Sequence, residues 1–211
     1  GRVYLVAAGK AAWQMAHAAR ACLQDNFCGG VVVTKYGHVK GEIADVACFE
    51  GGHPVPDENS LRGTDAALAL TEDLTESDTV VFLLSGGGSA LFEKPLLPLA
   101  ELQDVTNQLL AAGADIVEIK RLSAVKGGRF ARHCAPAQVF AVVLSDILGD
   151  PLDMIASGPA YPDSASCAQA LDIAKRYGLR LSERAWALLA QETPKTLENV
   201  ETQITGSVRE L

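Results

Sequence analysis

The chain has 211 residues, of which 48% are apolar and 21% charged, with a formal net charge of −8. That composition suits one large domain with a sizeable core, and it counts against nucleic acid or an anionic membrane surface as the main partner. A small anion stays admissible, because local donors rather than net charge hold it.

Val3 to Ala8 reads as a buried strand running into Gly9-Lys10-Ala11-Ala12 and a helix from Ala11 to Leu23. Gly9 permits a sharp turn. Lys10 falls in the first helical turn, where a cation opposes the helix dipole unless an anion is bound there. It is either a solvated lysine at a helix start or an anion contact. A second strand spans Gly30 to Thr34 and a third Val46 to Glu50. The loop after it, Glu50 to Ser60, carries two prolines that stiffen it, with Asp57 or Asn59 placed to cap the helix at 58–73. His53 in this loop is either structural or a substrate contact and proton relay.

Thr79 to Ser85 is the clearest strand, and it ends in Ser85-Gly86-Gly87-Gly88-Ser89. Three glycines let backbone N–H groups converge into a nest suited to phosphate oxygens; the alternative is a flexible turn. The run matches neither the GxxxxGK[ST] loop nor the GxGxxG fingerprint. Helical pattern returns at Leu99 to Ala112 and Leu122 to His133. The second segment holds Lys126-Gly127-Gly128-Arg129, where paired glycines cost a helix about 1 kcal/mol each and imply a break or a close backbone approach. Lys126 and Arg129 are phosphate clamps or surface charges. Gln138 to Ser145 is a further strand, followed by Asp146 and Asp150 and then by Ile155-Ala156-Ser157-Gly158-Pro159. Aspartates after a strand either hold Mg²⁺ for a nucleotide or cap turns. Helices follow at about 166–177 and 182–191, and Gln203 to Ser207 reads as a strand entering a turn.

Apolar runs without alternation mean strands covered on both faces, and their alternation with helices predicts an α/β fold. The expected architecture is a doubly wound, mostly parallel sheet with helices on both faces, Rossmann-like. Ligands then bind beyond the carboxyl ends of the strands. The five cysteines are scattered and form no CxxC, which predicts reduced thiols in a cytoplasmic protein. No apolar run approaches the roughly 20 residues that span a bilayer. The abrupt opening at Gly1, directly into an apolar run, leads us to expect 1–211 to be a single α/β domain of a longer protein.

In order and spacing these strand-end motifs resemble the glycerate 2-kinase family, whose members are often labelled hydroxypyruvate reductases. The stretches that carry the resemblance are Gly9 to Ala12, Thr34 to His38, Gly52 to Glu58, Ser85 to Leu91, Lys126 to Arg129 and Leu144 to Pro159, with fainter matches at Ile204, Gly206 and Ser207. The resemblance implies ATP-dependent phosphorylation of D-glycerate at its 2-hydroxyl, with a divalent metal such as Mg²⁺. It places the family's catalytic lysine on Lys10 and implies a C-terminal domain that completes the cleft; a homodimer is compatible with it. The family pattern also has about four residues more than this sequence between Ile119 and Lys120, which predicts that a loop is passed over there.

On this reading Lys10 neutralises charge on the transferring phosphoryl or the substrate carboxylate. Ser85, the 86–89 nest, His53, Lys126 and Arg129 bind phosphate or substrate, and Asp146 and Asp150 serve the metal. Two other readings fit the same residues. One is an NAD(P)H-dependent hydroxypyruvate reductase, for which the sequence offers no strand ending in GxGxxG with an acidic residue about 20 positions on. The other is a non-catalytic module that binds anions or sugar acids.

Overall fold

The computed structural model describes residues 1–114, 120–145 and 151–207. Six strands form one sheet: β1 (Val3–Ala8), β2 (Phe27–Lys35), β3 (Val46–Gly51), β4 (Thr79–Ser85), β5 (Gln138–Ser145) and β6 (Val200–Ser207). Every pairing is parallel, and the strand order is β3-β2-β1-β4-β5-β6. The direction of winding reverses between β1 and β4, so a crevice opens above their carboxyl ends.

The apolar runs explain the layering. In β1, Leu5 and Ala7 face helix α1 (Ala12–Cys22) in a cluster with Ala12, Ala16, Val32 and Leu83. Tyr4, Val6 and Ala8 face the other way, into the main core. That core includes Ala67 of α2 (Glu58–Leu70), Leu91 of the four-residue helix α3 (Gly88–Leu91) and Phe130 of α5 (Arg129–Cys134). Phe82, Phe92 and Phe130 pack as a buried trio in tilted and edge-to-face contacts, with ring centroids 4.7 to 5.5 Å apart, each contact adding roughly 0.5–1.5 kcal/mol beyond area burial. A further apolar cluster forms away from the sheet. There Leu102, Val105 and Leu109 of α4 (Leu99–Ala111) pack with Ala170 and Ala174 of α6 (Cys167–Arg176) and Leu189 of α7 (Glu183–Leu189).

The local signals act as expected at most boundaries. Asp57 caps α2 in a reciprocal box with Ser60, and Ser166 does the same for α6 with Gln169. One element needs correcting. The helix expected over Leu122 to His133 begins only at Arg129, because Gly127 and Gly128 sit at φ +61° and +82° and turn the chain before it. The expected break at the glycine pair is therefore what forms. No helix among the described residues is long and apolar enough to cross a membrane.

Candidate active site

The carboxyl ends of β1 and β4 are bound directly to each other. The Lys10 N–H donates to the Gly86 carbonyl at 2.8 Å, and the Ala11 N–H to Ser85 Oγ at 3.1 Å. The backbones run so close at Gly9 that a Cβ there would lie 2.5 Å from the Ser85 carbonyl oxygen. From the β2 side, the Thr34 hydroxyl donates to the Gly9 carbonyl at 2.9 Å, and His38 Nδ1 lies 2.9 Å from the Lys10 carbonyl. The backbone that presents Lys10 is thus held by the ends of both neighbouring strands, β2 and β4.

His53 reaches the same place from the loop after β3. A Cβ on Gly87 would sit 3.1 Å from His53 Nε2 and 3.1 Å from Lys10 Cγ. Gly87 has φ +86°, so both its conformation and the room beside it call for glycine. The lysine, the imidazole and the triglycine backbone therefore surround one small space.

The charges nearby are sorted. Glu50 accepts the N–H groups of Gly37 and Val39 at 3.0 and 2.9 Å, which hold its pKa below the usual carboxylate value. Asp57 accepts from Ser60 N–H and, at 2.6 Å, from the Tyr36 hydroxyl. Lys10 and Lys35 form no ion pair among the described residues. The α1 N-terminus has no acidic residue in its first turn and no capping bond from its own N-cap side chain. In a chain of net charge −8, this corner sets Lys10 and Lys35 beside a helix N-terminus while Glu50 and Asp57 are occupied by other donors. His53 responds to it: burial, then Lys10 and Lys35, lower its pKa from the ordinary 6.5.

Ser89 and a turn the sequence did not single out for chemistry meet next. Ser89 Oγ lies 2.8 Å from Ser157 Oγ. Ala156 and Ser157 adopt φ +52° and +60°, unusual for residues with a Cβ. Gly127 and Gly128 N–H groups donate to the carbonyls of Ser157 and Gly158 at 3.0 and 2.8 Å. The left-handed pair 156–157 has no sequence signature, since alanine and serine ordinarily avoid it.

Lys126 and Arg129, expected as phosphate clamps or surface charges, both have partners within the protein. Lys126 is buried, with Nζ 2.5 Å from Oε2 of the fully buried Glu93; Glu93 Oε1 has no partner among the described residues. This pair lies beneath the site, in a small void shared with Ser89, Pro54 and Pro56. Arg129 donates to the carbonyls of Lys120 and Ser123 at 3.1 and 2.6 Å. Asp146 and Asp150, expected at a metal, lie outside the described residues, as does the Ile119 side of the junction with Lys120. Among the described residues, no three His, Cys, Asp or Glu side chains cluster as a metal site.

Comparisons with known proteins agree on one group. Residues 1–190 match the family described as "Domain of unknown function (DUF4147)". The whole chain is 54% identical over 216 residues to a D-glycerate 2-kinase of Thermotoga maritima, of which it covers 52%. Over 99% of its length it is 41% identical to a putative hydroxypyruvate reductase of Agrobacterium vitis, covering 48% of that protein. The crystal structure of a Thermotoga maritima glycerate kinase superposes with a TM-score of 0.92 at 54% identity, over 99% of this chain and 52% of that one. The chain spans about half the length of these relatives.

Proposed function

We propose that this chain, which belongs to the DUF4147 family, forms one wall of an enzyme that phosphorylates D-glycerate at its 2-hydroxyl from a nucleoside triphosphate. The observation that carries the reading is the corner above β1 and β4. There Lys10, without an ion-pair partner among the described residues, stands beside the Gly87 backbone, while the neighbouring carboxylates are bound by N–H and O–H donors. Phosphoryl transfer asks mainly for positioning and for neutralisation of charge on the transferring group, and that is what such a corner supplies. The relatives named as glycerate kinases support the choice of substrate.

In this reading Lys10 neutralises the transferring phosphoryl or the glycerate carboxylate. The N–H groups and hydroxyls of Ser85 to Ser89 hold anionic oxygens, and His53 contacts substrate. Lys126 and Arg129 act from below, by fixing the loops on which these groups stand. Asp146 and Asp150 are proposed as the residues that would hold Mg²⁺, which when bound to the nucleotide offsets charge on its phosphates. The remaining length of the relatives is proposed to supply the opposite wall of the cleft. The reductase reading loses ground because the β1 and β4 ends lack the dinucleotide glycine pattern.

The test is a coupled assay of the complete gene product with ATP, Mg²⁺ and D-glycerate, in which 2- and 3-phosphoglycerate are resolved. Formation of 2-phosphoglycerate is expected. NADH oxidation with hydroxypyruvate, without phosphorylation of glycerate, would replace this reading with the reductase.

A further inference from the structure

We infer that His53 is the general base of the transfer, accepting the substrate hydroxyl proton at a ring nitrogen. The inference rests on the kinase reading above and adds a residue role to it.

Three observations carry it. The His53 ring stands at the same Gly87 position as the Lys10 side chain, with Nε2 on that side. No hydrogen bond or ion pair engages either ring nitrogen among the described residues; by contrast, the His38 and His133 rings are both bound to backbone carbonyls, of Lys10 and Leu68. A half-buried imidazole that none of the described residues engages has both a lone pair and an N–H for a ligand. The charged groups around it make that lone pair available at neutral pH. Lys10 and Lys35 face it as cations. On its own segment Glu50 and Asp57 are anionic, with their oxygens engaged by the N–H and hydroxyl donors of Gly37, Val39, Ser60 and Tyr36 rather than by His53. Burial and the two lysines thus favour the neutral ring, so His53 begins the reaction able to take a proton.

The step balances as follows. The 2-hydroxyl oxygen of glycerate forms a bond to the γ-phosphorus of the nucleoside triphosphate while its proton passes to His53. The bond from that phosphorus to the β–γ bridging oxygen breaks, and the nucleoside diphosphate leaves with the electron pair. The imidazolium then releases its proton to water. Lys10, beside it, speeds that release by repelling the imidazolium and at the same time neutralises the phosphoryl oxygens.

The experiment compares the complete enzyme with its His53→Ala and His53→Gln variants over a pH series, with kcat and KM for glycerate read separately. In the parent, activity is expected to rise with pH through a value below 6.5, as the ring loses its proton. Both variants should lose about 10²–10⁴ in kcat, keep KM for glycerate nearly unchanged, and lose that acidic limb. Glutamine can accept a hydrogen bond but cannot take the proton, so it should not rescue. Losses confined to KM with the acidic limb intact, or parental kcat in either variant, would overturn the assignment while leaving the kinase reading in place. A parent that makes no 2-phosphoglycerate would remove both. Titration of the His53 ring by NMR in the parent decides the matter even if the variants fail to fold. A pKa above 7 refutes a resting base, and one below 6.5 that moves upward in Lys10→Met upholds it.

Discussion

Two regions of the molecule are dense in charge, and they treat it in opposite ways. Around Asp163, Lys120 and Arg121 are almost wholly buried, and each is paired: Lys120 Nζ and Arg121 Nη1 both lie 3.2 Å from the Asp163 carboxylate. The Thr193 hydroxyl and Ala165 N–H complete its shell at 2.8 and 3.1 Å. Asp153 adds the Ser164 hydroxyl at 2.5 Å and stands 3.6 Å from Lys120. Above β1 and β4, by contrast, Lys10 and His53 stand beside Gly87 with no bound partner for ammonium or ring among the described residues. Buried charge that is fully matched holds loops in place, whereas charge left unmatched beside bare backbone is available to a ligand. Lys126, buried against Glu93, and Arg129, held by backbone carbonyls, are likewise engaged by the protein itself.

The sharpest way to break this division is to attack the matched side first. Asp163→Ala removes the carboxylate that Lys120 and Arg121 share and leaves them only the longer contacts to Asp153 at 3.6 Å and Glu192 at 3.4 Å; breaking such a cluster from one side costs about 3–5 kcal/mol. Denaturant unfolding should show the loss. A change under 1 kcal/mol would mean that the network is dispensable. The pH dependence has a definite sign. Burial alone would raise the pKa of Asp163, but Lys120, Thr193 and the Ala165 N–H together hold it below 3.8. Its contribution to stability is therefore complete above the unfolded carboxylate value and disappears as pH falls through the lower folded one.

Lys10→Ala should do the reverse. In the complete enzyme we expect kcat to fall about 10²–10³-fold, or roughly 3–4 kcal/mol of barrier. Stability should stay within about 0.5 kcal/mol, since the side chain of Lys10 makes no ion pair among the described residues. Near-normal turnover would detach Lys10 from the chemistry. A large loss of stability would move it to the scaffold.

Why the sequence could show one region and not the other follows from the range of the signals. The β1, β4 and β5 limits match the expected strands residue for residue, because continuous apolar runs such as Thr79-Val80-Val81-Phe82-Leu83-Leu84 are local facts. The switch between β1 and β4 follows from those strands, and with it the meeting of Gly9-Lys10 and Ser85-Gly86. The Glu93–Lys126 pair spans 33 residues and the Lys120–Asp163 pair 43, and no periodicity announces such a partner. Lys10 and Lys126 each precede or follow a glycine turn and look alike in the sequence; only Glu93, delivered by the chain after α3, separates them. Thr34 is legible as the end of a strand and as part of a stretch that carries the resemblance, but its bond to the Gly9 carbonyl, 25 residues away, is not.

A smaller effect tests whether the open side is open for steric reasons. Gly87→Ala places a methyl at φ +86°, which costs about 1–2 kcal/mol for an L-residue, and directs it between His53 and Lys10. Stability should fall by that amount, and nucleotide or glycerate binding should weaken further than Tm alone explains. Unchanged binding in a destabilised Gly87→Ala protein would mean that the ligand does not approach this backbone.

The finest test concerns Ser157, which borders both regions: its hydroxyl meets Ser89 at the open side while its carbonyl accepts from Gly127 in the scaffold. Ser157→Gly relieves a left-handed conformation that costs about 1–2 kcal/mol for a residue with a Cβ. It also loosens the unfolded chain by about 0.5–1 kcal/mol and removes a hydroxyl contact worth about 1 kcal/mol. These terms nearly cancel, so the expected change in stability is within about 1 kcal/mol. Ser157→Ala keeps the strain and loses the contact, and should be the less stable of the two. If glycine proves less stable than alanine by about 0.5–1 kcal/mol, the φ of +60° carries no strain. If both are stable but only the parent retains affinity for phosphate-bearing ligands, the hydroxyl belongs to the open side, and the strained turn is kept for binding rather than for folding.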